Sequence, residues 1–448
     1  MTTTIRRGST HPPLGSRTPA RNEDFFEEAQ LAELRAYSRP RKRVDLAAKV
    51  VAGAVDLVLV FGLDLGPEVA GWAGSAPWPV RLVVVAAVFA AISQVLLAPA
   101  DWWGTMVHDR RHGLSNQTAG LWWSDQAKAL VLNVVLSAVL LVPVFWAIRS
   151  FDTWWLVGGL VFFGIALFLN FVYPVLIMPR FNRFTPMEPG PLRSRIEEIA
   201  DLAGTSIEGV YTMDGSKRSR RGNAFVAGFG PTKRVVVFDT MLPGPDRDGF
   251  PLEQIAQVVA HEIGHYRLNH IPKTFPLAGL QMLLALAFVQ YVVGTDTVLG
   301  WAGVDDLGDP GAAPLFLFGI GVPMVALGLV SAWVSRRNER EADLEALELL
   351  GDPTSFVAMW PGFVALNKAD LEPGWWDRLN ASHPGVAERM QFGLVWADMN
   401  GVPATPPGIA DVPEPARDLA AAAEQGPGGP GSAPAARSTG RGGRRGRR

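Results

Sequence analysis

Six stretches of roughly 18 to 25 mostly apolar residues, long enough to cross a bilayer as helices, lie near 45–63, 81–100, 128–148, 154–176, 273–294 and 312–334. No other feature narrows the possible folds as far. A soluble protein can bury one or two such helices, but six spaced by polar loops predict a polytopic, predominantly α membrane protein. The first stretch is the weakest, because Asp45, Lys49 and Asp56 interrupt it. The 48% hydrophobic and 19% charged content points the same way.

Charge asymmetry sets an expected orientation. "SRPRKR" precedes the first stretch, "HDRRH" and Lys128 lie between the second and third, and "PRFNR" follows the fourth. The loops at 64–80 and 295–311 carry only acidic charges. Both termini and the long 177–272 loop are therefore expected on the cytoplasmic side of a cell membrane. Net charge is −2, so no global field suggests a nucleic-acid partner. Cysteine is absent, which excludes disulfides and thiolate metal sites. The first 44 residues hold no apolar h-region, so a cleaved secretory signal is not expected. From about Gly401 the chain is rich in Pro, Ala and Gly and ends in "GRGGRRGRR", a composition that cannot bury a core. The expected organisation is a disordered N-terminus (1–24), a membrane region with four spans (25–176), a catalytic domain with the last two spans (177–400) and a disordered tail (401–448).

The long loop ends in "VVAHEIGHYRLNH", Val258–His270. His261 and His265 are one helical turn apart, so both imidazoles project from one face, as two zinc ligands require. Glu262 follows the first histidine and can serve a water at the metal without ligating. The preceding "LEQIAQVVA" supports a helix with an apolar stripe. Zinc at a catalytic site takes three protein ligands, and without cysteine the third must be histidine or carboxylate. Glu339, in "VSRRNEREADLEAL" after the sixth stretch, is the best candidate. Alone that segment would read as a solvated charged helix, but the fifth and sixth spans form an antiparallel pair that brings both segments to one membrane face. Asp343 is one turn from Glu339 and can accept a hydrogen bond from a ligand histidine.

The pattern H-E-x-x-H followed by "SRRNEREAD" (Ser335–Asp343) resembles the integral-membrane type I CAAX prenyl endopeptidases. Four further segments extend the likeness: "HDRRHGLSNQTAGLWWSDQAK" (His108–Lys128), which departs from the family's H-G-F-N-x-Q-T at Leu114 and Ser115; "YPVLIMPRFNRFTPM" (Tyr173–Met187); "NAFVAGFGPTKRVVVFDTML" (Asn223–Leu242); and "SHPGVAER" (Ser382–Arg389). The resemblance runs from about Phe25 to Phe392. It implies a gluzincin-type zinc protease domain containing a small β-sheet, with one Zn²⁺ held by His261, His265 and Glu339 and with Glu262 as the catalytic glutamate. Asp343 falls on a position described as supporting a ligand or donating a proton. His383 and Arg389 fall where the oxyanion is stabilised or substrate oriented. Asn223 and Ala224 match an edge strand that receives the peptide, which is expected to lie against the edge Asn223–Phe225, while "RVVVFDTML" reads as a strand from its β-branched run. Eukaryotic members have seven spans, the first preceding a segment like "FFEEAQLAELRAYSRP"; here only a short polar stretch stands before it, so six spans are expected.

The expected activity is hydrolysis of membrane-associated or lipidated polypeptides at the cytoplasmic face, with the lipid bilayer as a further partner. A heat-shock-type quality-control zinc protease shares the zinc signature but has no need of "HGLSNQT" or "FFEEAQ". A non-catalytic membrane scaffold has no need of the intact ligands and base. Nothing in these residues specifies an isoprenoid.

Overall fold

The structure is a computed structural model and describes residues 20–228, 232–244 and 247–404. Most of the two ends expected to be disordered lies outside the described residues. Asn22–Asp24, inside the expected disordered N-terminus, form a 3-10 turn, and the Asn22 amide donates to Leu371 O.

Helices dominate. The first half holds α1 (Glu28–Phe61), α2 (Trp78–Trp102), α3 (Ala119–Ser150) and α4 (Trp154–Val172). The second holds α5 (Pro191–Leu202), α6 (Leu252–Arg267), α7 (His270–Phe288), α8 (Ala313–Leu350), α9 (Pro353–Asn367) and α10 (Val386–Met399). By length and composition, four helices suffice to cross a membrane: Trp78–Arg111, Ala119–Ser150, His270–Val293 and Pro310–Leu350. A fifth crossing requires counting α1 together with the helix Leu65–Trp72, which are bent by 70° at their junction. Among the described residues the count is thus four or five where six were expected. The shortfall falls on the first stretch, interrupted by charge, and on the fourth, whose apolar part is Trp154–Leu169. At 1.5 Å per residue that part covers only about 24 Å of a ~30 Å hydrocarbon core.

Four strands, β1 (Phe184–Pro186), β2 (Gly209–Met213), β3 (Ala224–Ala227) and β4 (Arg234–Phe238), form the small sheet in the order β1-β2-β4-β3. β2 and β4 run parallel and the outer pairs are antiparallel. The β-branched "RVVVF" makes β4 the buried central strand. The strand stops before the expected "DTML", because Asp239 turns its carboxylate to the Ser216 amide at 2.8 Å and opens a 3-10 turn.

Two apolar clusters result. On the side of the sheet Ile255, Val259 and Ile263 of α6 pack with Val235 and Val237 of β4, Phe356 of α9 and Phe392 of α10. On the membrane side Leu82, Val85, Phe145, Leu286 and Phe316 form the second.

The "HGLSNQT" segment joins the two regions. Its backbone pairs with the 216–220 turn: Asn116 N donates to Arg218 O at 2.9 Å, and Arg220 N donates to Leu114 O at 2.8 Å. Arg218 closes a bidentate ion pair on Asp125 at the start of α3, at 2.8 and 3.0 Å, the planar geometry that a guanidinium fork favours. Buried Asp109 accepts from Tyr37 of α1 at 2.8 Å and from Arg221 at 3.2 Å. The motif thus fastens the first membrane helices to the sheet that carries the edge strand.

Candidate metal centre

α6 is amphipathic, and its inner face is buried from Ile255 to Gly264 except at Glu262. His261 therefore sits in the interior at 7% exposure, and the helical turn puts His265 beside it. Gly264, between the two, has a spatial reason to be glycine: a Cβ there would stand 3.2 Å from Cβ and Cγ of Glu345. That close approach lets α8 cross α6 and bring Glu339 inward.

The three expected ligands converge. His261 Nε2 and His265 Nε2 are 3.1 Å apart. Glu339 places Oε2 3.3 Å from the first and Oε1 3.4 Å from the second. Ligands at 2.0–2.2 Å around a tetrahedral ion stand roughly 3.3–3.6 Å from one another, close to this triangle. Glu339 Oε2 is also buried without a hydrogen-bond partner, a poor arrangement for a carboxylate unless a cation completes it. Nitrogen, nitrogen and oxygen suit a borderline divalent metal.

The surroundings orient these ligands. Asp343 accepts from His261 Nδ1 at 2.9 Å, which leaves the Nε2 lone pair for the triangle. Arg389 grips Asp343 with two bonds, Nε at 2.8 Å and Nη2 at 2.5 Å, and places Nη1 3.5 Å from Glu339 Oε2. Its guanidinium lies over Trp360, 4.2 Å from the ring centroid. Asp343 and Arg389 are thus fully engaged with each other and with the ligands. His383 differs. Its side chain is exposed, with Nδ1 2.7 Å from Ser382 Oγ and Nε2 3.4 Å from Glu339 Oε1. Burial pushes the Glu262 carboxyl above the usual carboxylate range, opposed by the neighbouring His261 and His265.

At the edge strand, Phe238 N donates to Asn223 O. Given the β3–β4 register, Asn223, Phe225 and Ala227 turn their backbone groups toward β4, and Ala224 and Val226 turn theirs to the open edge. Asn223 Oδ1 takes the Ala224 amide at 2.9 Å. The Val226 carbonyl already accepts from the Tyr266 hydroxyl at 2.9 Å. Burial, then Glu262, pushes Tyr266 up to about 12, so it remains a donor. The available groups are the Ala224 carbonyl and the Val226 amide.

Reading the sequence missed Gly264, Tyr266, Val226 and two residues beyond them, His270 and Glu341. Asn269, at φ 56°, breaks the chain between α6 and α7 in a conformation that asparagine tolerates. His270 thereby folds back on His265, Nδ1 to Nδ1 at 2.9 Å. Its Nε2 meets Glu341 Oε2 at 3.2 Å. Only the presence of a third histidine in the quoted stretch hinted at this.

A family model described as CAAX prenyl protease N-terminal, five membrane helices, matches residues 14–183, and one for peptidase family M48 matches 186–393. A CAAX prenyl protease 1 homolog of Arabidopsis thaliana is 31% identical over 311 residues, covering 67% of this chain and 70% of that one. The CAAX prenyl protease 1 of Saccharomyces cerevisiae is 28% identical over 398 residues (82% and 86%). A Bacillus subtilis protein named metalloprotease YhfN is 28% identical over 397 residues (86% and 90%). In fold, the chain is similar to the crystal structure of S. mikatae Ste24p, with a TM-score of 0.74, 24% identity, and coverage of 85% of this chain and 93% of that one.

Proposed function

The chain belongs to peptidase family M48 as a membrane metalloprotease similar to the CAAX prenyl proteases, and from that premise we propose which of its residues cut the peptide bond and on what substrate. His261, His265 and Glu339 would hold one Zn²⁺. When bound, the ion supplies Lewis acidity to a water and to the scissile carbonyl. Glu262 removes the proton from the attacking water; burial makes its carboxylate a stronger base than a solvated one. Because the same group then carries the proton, it delivers it to the leaving amine. Asp343 holds His261 in the tautomer that faces the ion, and Arg389 keeps Asp343 ionised and fixed. That leaves His383, exposed beside Glu339, as the side chain free to turn toward the developing oxyanion.

The substrate lies extended along β3, bonded to the Ala224 carbonyl and the Val226 amide, with Asn223 fixing the strand entry and Phe225 presenting its ring on the face opposite the core. Backbone recognition of this kind admits many sequences. The helix α6 that carries both histidines runs through one turn into the membrane helix α7, so the site stands at the membrane boundary. Membrane-associated or lipidated polypeptides are the substrates that this position favours, and the basic loops support a cytoplasmic face.

The observation that carries the reading is the triangle of two imidazole nitrogens and a carboxylate whose buried Oε2 no hydrogen bond satisfies. Two variants test it. Glu262→Gln is expected to retain stoichiometric zinc and to lose cleavage of a membrane-anchored peptide. Glu339→Ala is expected to lose the zinc itself. Full occupancy in Glu339→Ala protein, measured by metal analysis, would assign the third ligand elsewhere.

A further inference from the structure

The two ligand histidines are supported in different ways, and the difference identifies residues that the reaction scheme above does not use. His261 donates directly to a carboxylate, Asp343. His265 has no carboxylate at its Nδ1. It meets the Nδ1 of His270 at 2.9 Å, and the Nε2 of His270 meets Glu341 Oε2 at 3.2 Å. His270 is buried at 3% exposure, and Glu341 is further fixed by Arg337 Nε at 3.1 Å.

Hydrogen positions along this chain follow from what each group can do. An ionised carboxylate only accepts, so the hydrogen of neutral His270 sits on Nε2 and points at Glu341. His270 Nδ1 then carries a lone pair and can only accept. The hydrogen between the two rings therefore belongs to His265 Nδ1, which leaves His265 Nε2 bare and aimed at His261 Nε2 and Glu339 Oε1. Without the chain, His265 could place its hydrogen on Nε2, inside the triangle, where it would exclude a metal.

We propose that His270 and Glu341 are positioning residues for the metal: a carboxylate–histidine relay that fixes the tautomer and ring angle of His265 through a second imidazole. The relay rests on the ligand assignment above and adds residues to it. Its placement has a physical basis. Glu339, Glu341 and Asp343 all lie on α8, so one helix supplies a ligand and the anchoring carboxylates for both histidines. Glu341 stands on the flank toward α7, too far round the helix from Asp343 to share a partner with it, and the intervening His270 spans the gap.

The test is zinc affinity of the purified full-length protein, read by competition with a chromogenic chelator, which needs no substrate. His270→Ala is expected to weaken zinc binding about 10- to 100-fold, the range for loss of such a support. His270→Asn, whose side-chain oxygen can accept from His265 Nδ1, is expected to recover most of that loss. Glu341→Leu is expected to weaken binding less than His270→Ala, because His265 keeps an acceptor. Native-like affinity in His270→Ala, with zinc lost from Glu339→Ala, would overturn the relay and leave the ligand set standing. Equal weakness of His270→Asn and His270→Ala would also overturn it, by showing that the ring acts through packing alone. Unchanged affinity in Glu339→Ala would instead bring down the ligand assignment itself.

Discussion

The membrane helices and the protease core bury polar groups under opposite rules. Between α7 and α8, among the described residues of the membrane spans, the buried polar contact is neutral: Gln281 donates to Leu327 O at 2.8 Å and accepts from Ser331 Oγ at 2.9 Å. Large apolar side chains such as Leu160, 73% exposed, and Phe168, 62% exposed, point outward, as they do where lipid forms the other half of the packing. In the protease region the interior holds full charges, Asp343 and Arg389 among them, each matched to a partner. The first region needs chain length and apolarity. The second needs several specific pairings to coexist, and catalysis draws on that second kind of order.

Substitutions should expose the contrast, and the largest effect belongs to the charged interior. Glu262→Gln removes the proposed base but no packing, so cleavage should fall by about 10²–10⁴-fold or more while the melting temperature of the zinc-loaded protein stays put. A parallel fall in stability would mean that Glu262 is structural. Next, Arg389→Met strands Asp343 without its partner at under one-tenth exposure; breaking such a pair costs about 3–5 kcal/mol, read as a lower denaturation midpoint in detergent. Adding Asp343→Asn should recover part of that loss, and failure to recover would show that the two do not act as a pair. Ile263→Ala, in the same core and fully buried, should lose about 2–5 kcal/mol through the cavity it leaves.

The membrane region should respond far less. Gln281→Leu breaks the interhelical bonds, but such bonds average ~0.6 kcal/mol in bilayers, so a small midpoint shift is expected. Leu160→Ala should change stability by less than about 0.5 kcal/mol. If either matched Arg389→Met, the two regions would not differ as described.

Much of the site was legible because its parts are local. His261, Glu262 and His265 are set by one helical turn, and "RVVVF" becomes a central strand because its side chains demand burial on both faces. Glu339 could be reached from the antiparallel arrangement of the last two spans. The roles of Arg389 and His383 could not be separated that way. Only their surroundings distinguish an arginine gripped by Asp343 from a histidine left exposed. The strand "RVVVFDTML" was overextended because the Asp239–Ser216 bond that ends it joins distant residues.

The amino-acid order alone determined that this chain enters a membrane, that it carries two imidazoles one turn apart, and that a carboxylate follows a later apolar helix. These depend on hydrophobic length and helical period, which a short window contains. Folding in three dimensions decided the rest: the close crossing of α6 and α8 at Gly264, the left-handed turn at Asn269 that returns His270 to His265, and the open edge at Ala224 and Val226. Each depends on how far apart two separate segments come to rest, and no local pattern encodes that distance.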